Sequence, residues 1–176
     1  IKYRIINEFL IFTYNNPGYD KYLEIAIEHV DDEGTVKIAK DIGRFYQKYN
    51  NEDKAIRYFK IALANAPNDL EVHLLLLQSY LKKEEFKMIA VESENLLETY
   101  PLQPDLFYLA GMSNNKIGRF KKAKDFLESG LELIVDNPGL TINFYLQLVE
   151  ACTGLSDTQC KNNYLYQSKK SLQQKK

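Results

Sequence analysis

The chain has no tryptophan, and only two histidines, two cysteines and two methionines among its 176 residues. Each scarcity removes a class of chemistry. His29 and His73 lie far apart, and neither has an acidic or cysteine neighbour at a metal-ligand spacing such as His-x3-His. Neither marks a metal site or a catalytic base. The eight glycines form no Gly-x-Gly-x2-Gly, Gly-x4-Gly-Lys or Gly-x-Ser-x-Gly element, so phosphate cradles and nucleophile elbows are disfavoured. No nucleophile, base and orienting group can be assembled; no enzyme, cofactor or metal is expected. The longest aliphatic run is Leu74 to Leu77, against the ~20 residues that a membrane-spanning helix needs. The 23 basic and 24 acidic residues leave a net charge of -1, which provides no global field for nucleic acid or anionic lipid. Period-two alternation is nowhere sustained, so strands are not expected. Residue 1 is isoleucine and no leader-like segment follows it, so an upstream segment is expected to be missing.

What is present is a repeat. The interval from Tyr46 to Tyr80 is the same as that from Pro67 to Pro101, and twice that interval separates Gly43 from Gly111 and Ala55 from Ala123. Glycines and prolines punctuate helix-length segments, which reads as ten helices in five hairpins. The clearest pairs are 34–49 with 52–65, 69–82 with 85–98, and 104–117 with 120–134. In the first of them Ala39, Ile42, Gly43 and Tyr46 share one helix face, and Ala55, Phe59 and Ala62 share another. Gly118 stands where a C-terminal glycine cap belongs, and Pro104 suits a first helical turn.

The period of about 34 residues, together with the spacing of Ile42-Gly43, Tyr46, Ala55, Phe59 and Pro67, resembles the tetratricopeptide repeat family. The second unit departs from it at Leu77 and Ser93, and the third has Asn114 in place of tyrosine. The resemblance implies an all-α fold, a right-handed superhelical solenoid of antiparallel helix hairpins. Residues 1–33 would be a degenerate hairpin, 34–67, 68–101 and 102–138 three repeats, and 139–176 a degenerate repeat with a capping helix. The hydrophilic tail 161–176, with its stripe of Tyr164, Leu165 and Leu172, suits the cap, which needs one polar face. The first hairpin, with Ile5, Ile6, Phe9, Leu10, Ile11 and Phe12, is apolar over more than one face. It is expected either to follow further repeats or to pair with a copy of itself. A cut front and a capped rear resemble the C-terminal part of longer bacterial multi-repeat proteins.

Two local features leave alternatives open. Cys152 and Cys160 flank the turn 154–157 almost symmetrically, which permits a disulfide if their Cα atoms come within about 7 Å. The expected state is nevertheless a free Cys152 acting as a small buried residue at the offset of Tyr46 and Tyr80. The acidic run Asp31, Asp32, Glu33 reads as a solvated turn between helices rather than a cation site. His73, at the offset of Ala39 and Phe107, reads as a packing residue.

In the tetratricopeptide family the first helix of each hairpin lines a concave groove, so the resemblance implies a protein-protein interaction scaffold. The implied groove stripe is basic in the first repeat (Lys37, Lys40, Arg44, Lys48) and apolar or amphipathic next (Leu74, Gln78, Leu81, then Tyr108, Met112, Asn115). It turns polar again at Glu150. A protein or peptide partner with an acidic-apolar segment fits that order. An RNA-binding repeat array is the alternative, although Glu71, Asp105 and Glu150 interrupt the basic stripe it would need.

Overall fold

The computed structural model describes residues 2–29 and 32–173, and the described residues contain ten α-helices, one 3-10 turn and no strand. The helices are α1 (Lys2–Asn15), α2 (Asp20–Glu28), α3 (Asp32–Lys48), α4 (Glu52–Asn65) and α5 (Leu70–Lys82). They continue with α6 (Phe86–Thr99), α7 (Pro104–Lys116), α8 (Phe120–Leu131), α9 (Pro138–Gly154) and α10 (Thr158–Gln173), and the 3-10 turn is Pro17–Tyr19. The chain forms two compact units, Ile1–Lys83 and Glu84–Lys176. Within each, successive helices pack as antiparallel neighbours, α3 on α4 in the first and α7 on α8 and α9 on α10 in the second.

Punctuation is chemical. Side chains of Asn51, Asp69 and Asn137 accept hydrogen bonds from the backbone N–H groups of Lys54, Val72 and Leu140 at 3.2, 3.2 and 3.0 Å, capping α4, α5 and α9. Pro104 and Pro138 occupy the first turns of α7 and α9, where a missing N–H costs no helical bond. The turns that follow α3, α5 and α7 are built alike. Asn50, Glu84 and Gly118, which hold the same place in consecutive repeats, are all left-handed, with φ of 55°, 56° and 77°. After two of them, the N–H groups of Asn51 and Arg119 reach back to the carbonyls of Tyr46 and Asn114 at 2.9 and 2.8 Å, the closing bond of a Schellman-type helix end.

The core of the first unit gathers Leu23, Ile27, Ile42, Tyr46, Tyr58 and Phe59; that of the second is built on Leu106, Leu127, Phe144 and Leu148. In both, a glycine allows the first helix of a hairpin to approach the second. A Cβ on Gly43 would overlap the Phe59 ring, and one on Gly111 would overlap Cγ of Leu127. Phe59 and Leu127 are themselves equivalent positions two repeats apart, so the repeat preserves a contact as well as a residue.

Three expectations need correction. Asp32 and Glu33 belong to the first turn of α3 rather than to a preceding turn, because the helix begins at Asp32; Asp31 lies outside the described residues. Helix α8 ends at Leu131, three residues early, because the segment before Asn137 must turn through Asp136 at φ 48°. In α10 the packed positions are Tyr164, Leu165 and Ser168, while Leu172 is 53 % exposed. A further departure concerns the cysteines. Cys152 and Cys160 are bonded, because the tight turn brings their Cα atoms to 5.7 Å.

Candidate functional site

The stripe named from sequence falls into two faces, one on each unit. On the first unit, α3 presents Lys37, Lys40, Arg44 and Lys48, and α5 presents Leu74, Gln78 and Leu81. Lys37, Arg44, Lys48, Gln78 and Leu81 are exposed, and Lys40 and Leu74 are half-buried. The two helices are tied by charge. Lys40 Nζ lies 2.8 Å from a Glu71 carboxylate oxygen and 3.9 Å from Asp69, and the Arg44 guanidinium bonds the other Glu71 oxygen while sitting 3.7 Å from Asp41. The hydrogen bond from Lys40, with the charge of Arg44, holds the Glu71 carboxyl below the usual carboxylate range. Beside these side chains lies an open hollow of about 610 Å³ whose wall includes Val36, Asn65 and Ala66.

On the second unit the same offsets lead inward. Tyr108, at the Lys40 position, is half-buried with its ring 5.4 Å from that of Phe144, and Met112, at the Arg44 position, is 7 % exposed. Burial, then the Glu150 charge, pushes the Tyr108 hydroxyl above its ordinary value. Glu150 itself is held by Lys116 at 3.1 Å. Apolar residues at i and i+4 on a first helix therefore serve α7–α9 packing here. On α9, Leu146 is an exposed apolar residue.

One lock is common to both faces, and its partners were missed. Gln47 Nε2 donates to the Leu75 carbonyl at 3.0 Å and to Ser79 Oγ at 2.8 Å. Asn115, the equivalent position two repeats on, donates to the Gln147 carbonyl at 2.9 Å and to its side-chain oxygen at 3.1 Å. Ser79 and Gln147 stand at that same two-repeat interval, and the matching interval was the signal available in the sequence. A second shared element lies between the other helices. Lys54 reaches Asp20 at 2.5 Å with the Tyr46 hydroxyl 3.5 Å from the same carboxylate; Lys122 reaches Glu94 at 2.7 Å, and Asn114 donates to it at 2.8 Å. The residue that replaced a tyrosine thus keeps its polar task. Burial, then the Asp20 charge, pushes the Tyr46 hydroxyl up to about 12.

Elsewhere, ring nitrogens of His29 and His73 lie 2.8 Å from the carbonyls of Ile25 and Pro67, a local structural use. Among the described residues no group of His, Cys, Asp and Glu could hold a metal ion, and no helix is long and apolar enough to cross a membrane. The first hairpin leaves Ile5, Ile11, Phe12, Tyr19, Tyr22 and Ile25 between 45 % and 58 % exposed.

No known family profile and no curated protein matches the sequence. Solved structures do match the fold. The chain is similar to MamA MSR-1 (TM-score 0.73, 15% identity, 100% of this chain and 99% of that one). It is similar also to MamA 41-end from Desulfovibrio magneticus RS-1 (TM-score 0.72, 13% identity, 98% and 96%) and to MamA AMB-1 (TM-score 0.70, 16% identity, 96% and 98%). The fold class is accordingly the all-α, tetratricopeptide-like helical-repeat solenoid.

Proposed function

We propose that the chain is a non-enzymatic protein-interaction scaffold, and that the α3–α5 face of the first unit receives a protein or peptide segment carrying acidic and apolar groups. The observation that carries this reading is the company kept by Leu81. It remains 41 % exposed on α5 beside exposed Gln78, on a face where Lys40 and Arg44 already grip a carboxylate, that of Glu71. The two cations are prepositioned for an acidic group, and Glu71 is their occupant until a partner's carboxylate displaces it. Arginine is enriched at energetic binding centres, and the exposed Leu81 lies ten residues along α5 from Glu71, about 15 Å, so the segment is one whose acidic and apolar groups stand that far apart. An RNA strand is poorly matched, because the chain carries a net charge of -1 and Glu71, Asp105 and Glu150 interrupt the basic stripe it would need.

The test is titration of acidic-apolar peptides against the protein and its Lys40→Glu, Leu81→Ala double variant. A fall in affinity of about ten-fold or more is expected if two anchors are removed; unchanged affinity removes this face from consideration.

Self-association is a second reading, favoured by the water-exposed apolar face of α1 and α2. Sedimentation over a range of concentrations should show a dimer or higher species that Ile11→Lys, Phe12→Glu abolishes. A monomer at every concentration excludes it.

A further inference from the structure

The disulfide between Cys152 and Cys160 joins two sulfurs with unlike surroundings. Cys152 lies near the C-terminal end of α9 and is fully buried. Cys160 lies in the first turn of α10, where its backbone N–H donates to Asp157 Oδ1 at 2.9 Å, and it is only partly buried. It also lines an open hollow of about 320 Å³ with Asp157, Asn163 and the Lys124–Glu128 ion pair, whose atoms stand 2.7 Å apart. Burial near a helix C-terminus favours the neutral thiol for Cys152, whereas Cys160 meets solvent in a first helical turn whose dipole favours a thiolate against the opposing charge of Asp157. A thiol from solution can reach only one of the two sulfurs.

We infer that the α9–α10 hairpin is an exchange and modification site for small thiols and their disulfides, with Cys160 the sulfur that reacts and Cys152 the one that resolves. In the reduced hairpin the Cys160 thiolate attacks one sulfur of a small disulfide RSSR. The S–S bond of that molecule breaks, one RS⁻ departs, and R–S remains bonded to Cys160. Cys152 then loses its proton to solvent and its thiolate attacks the Cys160 sulfur, forming the internal bond and expelling the second RS⁻. Two protein thiols are oxidised and one RSSR is reduced to two RSH after protonation. An excess of RSH runs the sequence backward, entering at Cys160.

The proposal is tested with oxidised glutathione on the folded single variants Cys152→Ser and Cys160→Ser, followed by intact mass spectrometry. Cys160 in the first variant should form its mixed disulfide about ten-fold or more faster than Cys152 in the second, given the difference in thiolate character and access. Equal rates, or faster reaction at Cys152, overturn the assignment. Wild-type protein provides a check free of substitutions. Brief alkylation during partial reduction by dithiothreitol should label Cys160 before Cys152, and oxidised glutathione should then restore the internal bond. Preferential labelling of Cys152, or failure of the bond to re-form, overturns the proposal as surely.

Discussion

In the first unit, Lys40 and Arg44 carry charge to the surface of α3; in the second, the same two offsets carry Tyr108 and Met112 inward against the α9 side. The backbone framework is alike in both, down to the glycine contact, the lateral amide lock and the acid held by a lysine. What differs is which side chains the framework leaves for water. A repeat position is thus a place rather than a role, and composition decides whether it packs or stays available. That is why the proposed partner face is confined to the first unit.

The comparison is broken most forcefully at its shared glycines. Gly43→Leu and Gly111→Leu each drive a branched side chain into a fully buried neighbour, Phe59 or Leu127. Overpacking should cost about 3 kcal/mol in each case, read from denaturant unfolding. A loss at Gly111 alone would mean that the two hairpins are not equivalent. Next come the lateral amides. Gln47→Ala and Asn115→Ala should cost about 1–2 kcal/mol each, with Asn115 the larger because it is 3 % exposed while Gln47 is only half-buried. Hydrogen exchange should report the loosening in α5 for the first and in α9 for the second. Loosening elsewhere would show that these bonds do not tie the helices they touch.

A smaller effect of opposite sign is expected in the turns that follow α3, α5 and α7. Glu84 adopts a left-handed backbone that Gly118 adopts one repeat later. Glu84→Gly relieves a non-glycine residue of that conformation and should stabilise the protein by roughly 1 kcal/mol, less the added freedom of the unfolded chain. Gly118→Ala should destabilise by a similar amount. Thermal unfolding of the two variants, moving in opposite directions, would establish that the three turns are one structural element.

Sequence carried the framework well and the site less well. Gly43, Gly111, Ala55 and Ala123 announced the close helix crossings because only small residues at a fixed period permit them, and the structure buries all four in the core. The stripe of candidate binding residues was harder. A two-repeat offset states that Met112 and Arg44 occupy equivalent places, but burial depends on the next helix, and α9 lays Phe144 beside Tyr108. Asn115 looked like a surface polar residue because its partner, Gln147, lies about a whole repeat away and belongs to a weak motif. Cys152 looked free because helix packing distances stand near the limit for a disulfide, and only the turn's geometry settles which side of that limit applies.

The gentlest probe bears on the difference itself. Glu71 and Asp105 occupy one offset in consecutive repeats and both are exposed, yet Glu71 joins Lys40 and Arg44. Its folded-state carboxyl is held below the ordinary value, so its contribution to stability is present above the unfolded carboxylate range and disappears as pH falls through the lower folded value. Because the pair is exposed, Glu71→Gln should cost less than about 1 kcal/mol at neutral pH. The loss should vanish in acid and shrink with salt. A pH-independent difference between the Glu71 variant and wild type would mean that the cations do not hold this carboxylate in solution. A partner's acidic group would then find them unopposed, and Glu71→Gln would leave peptide affinity unchanged instead of raising it.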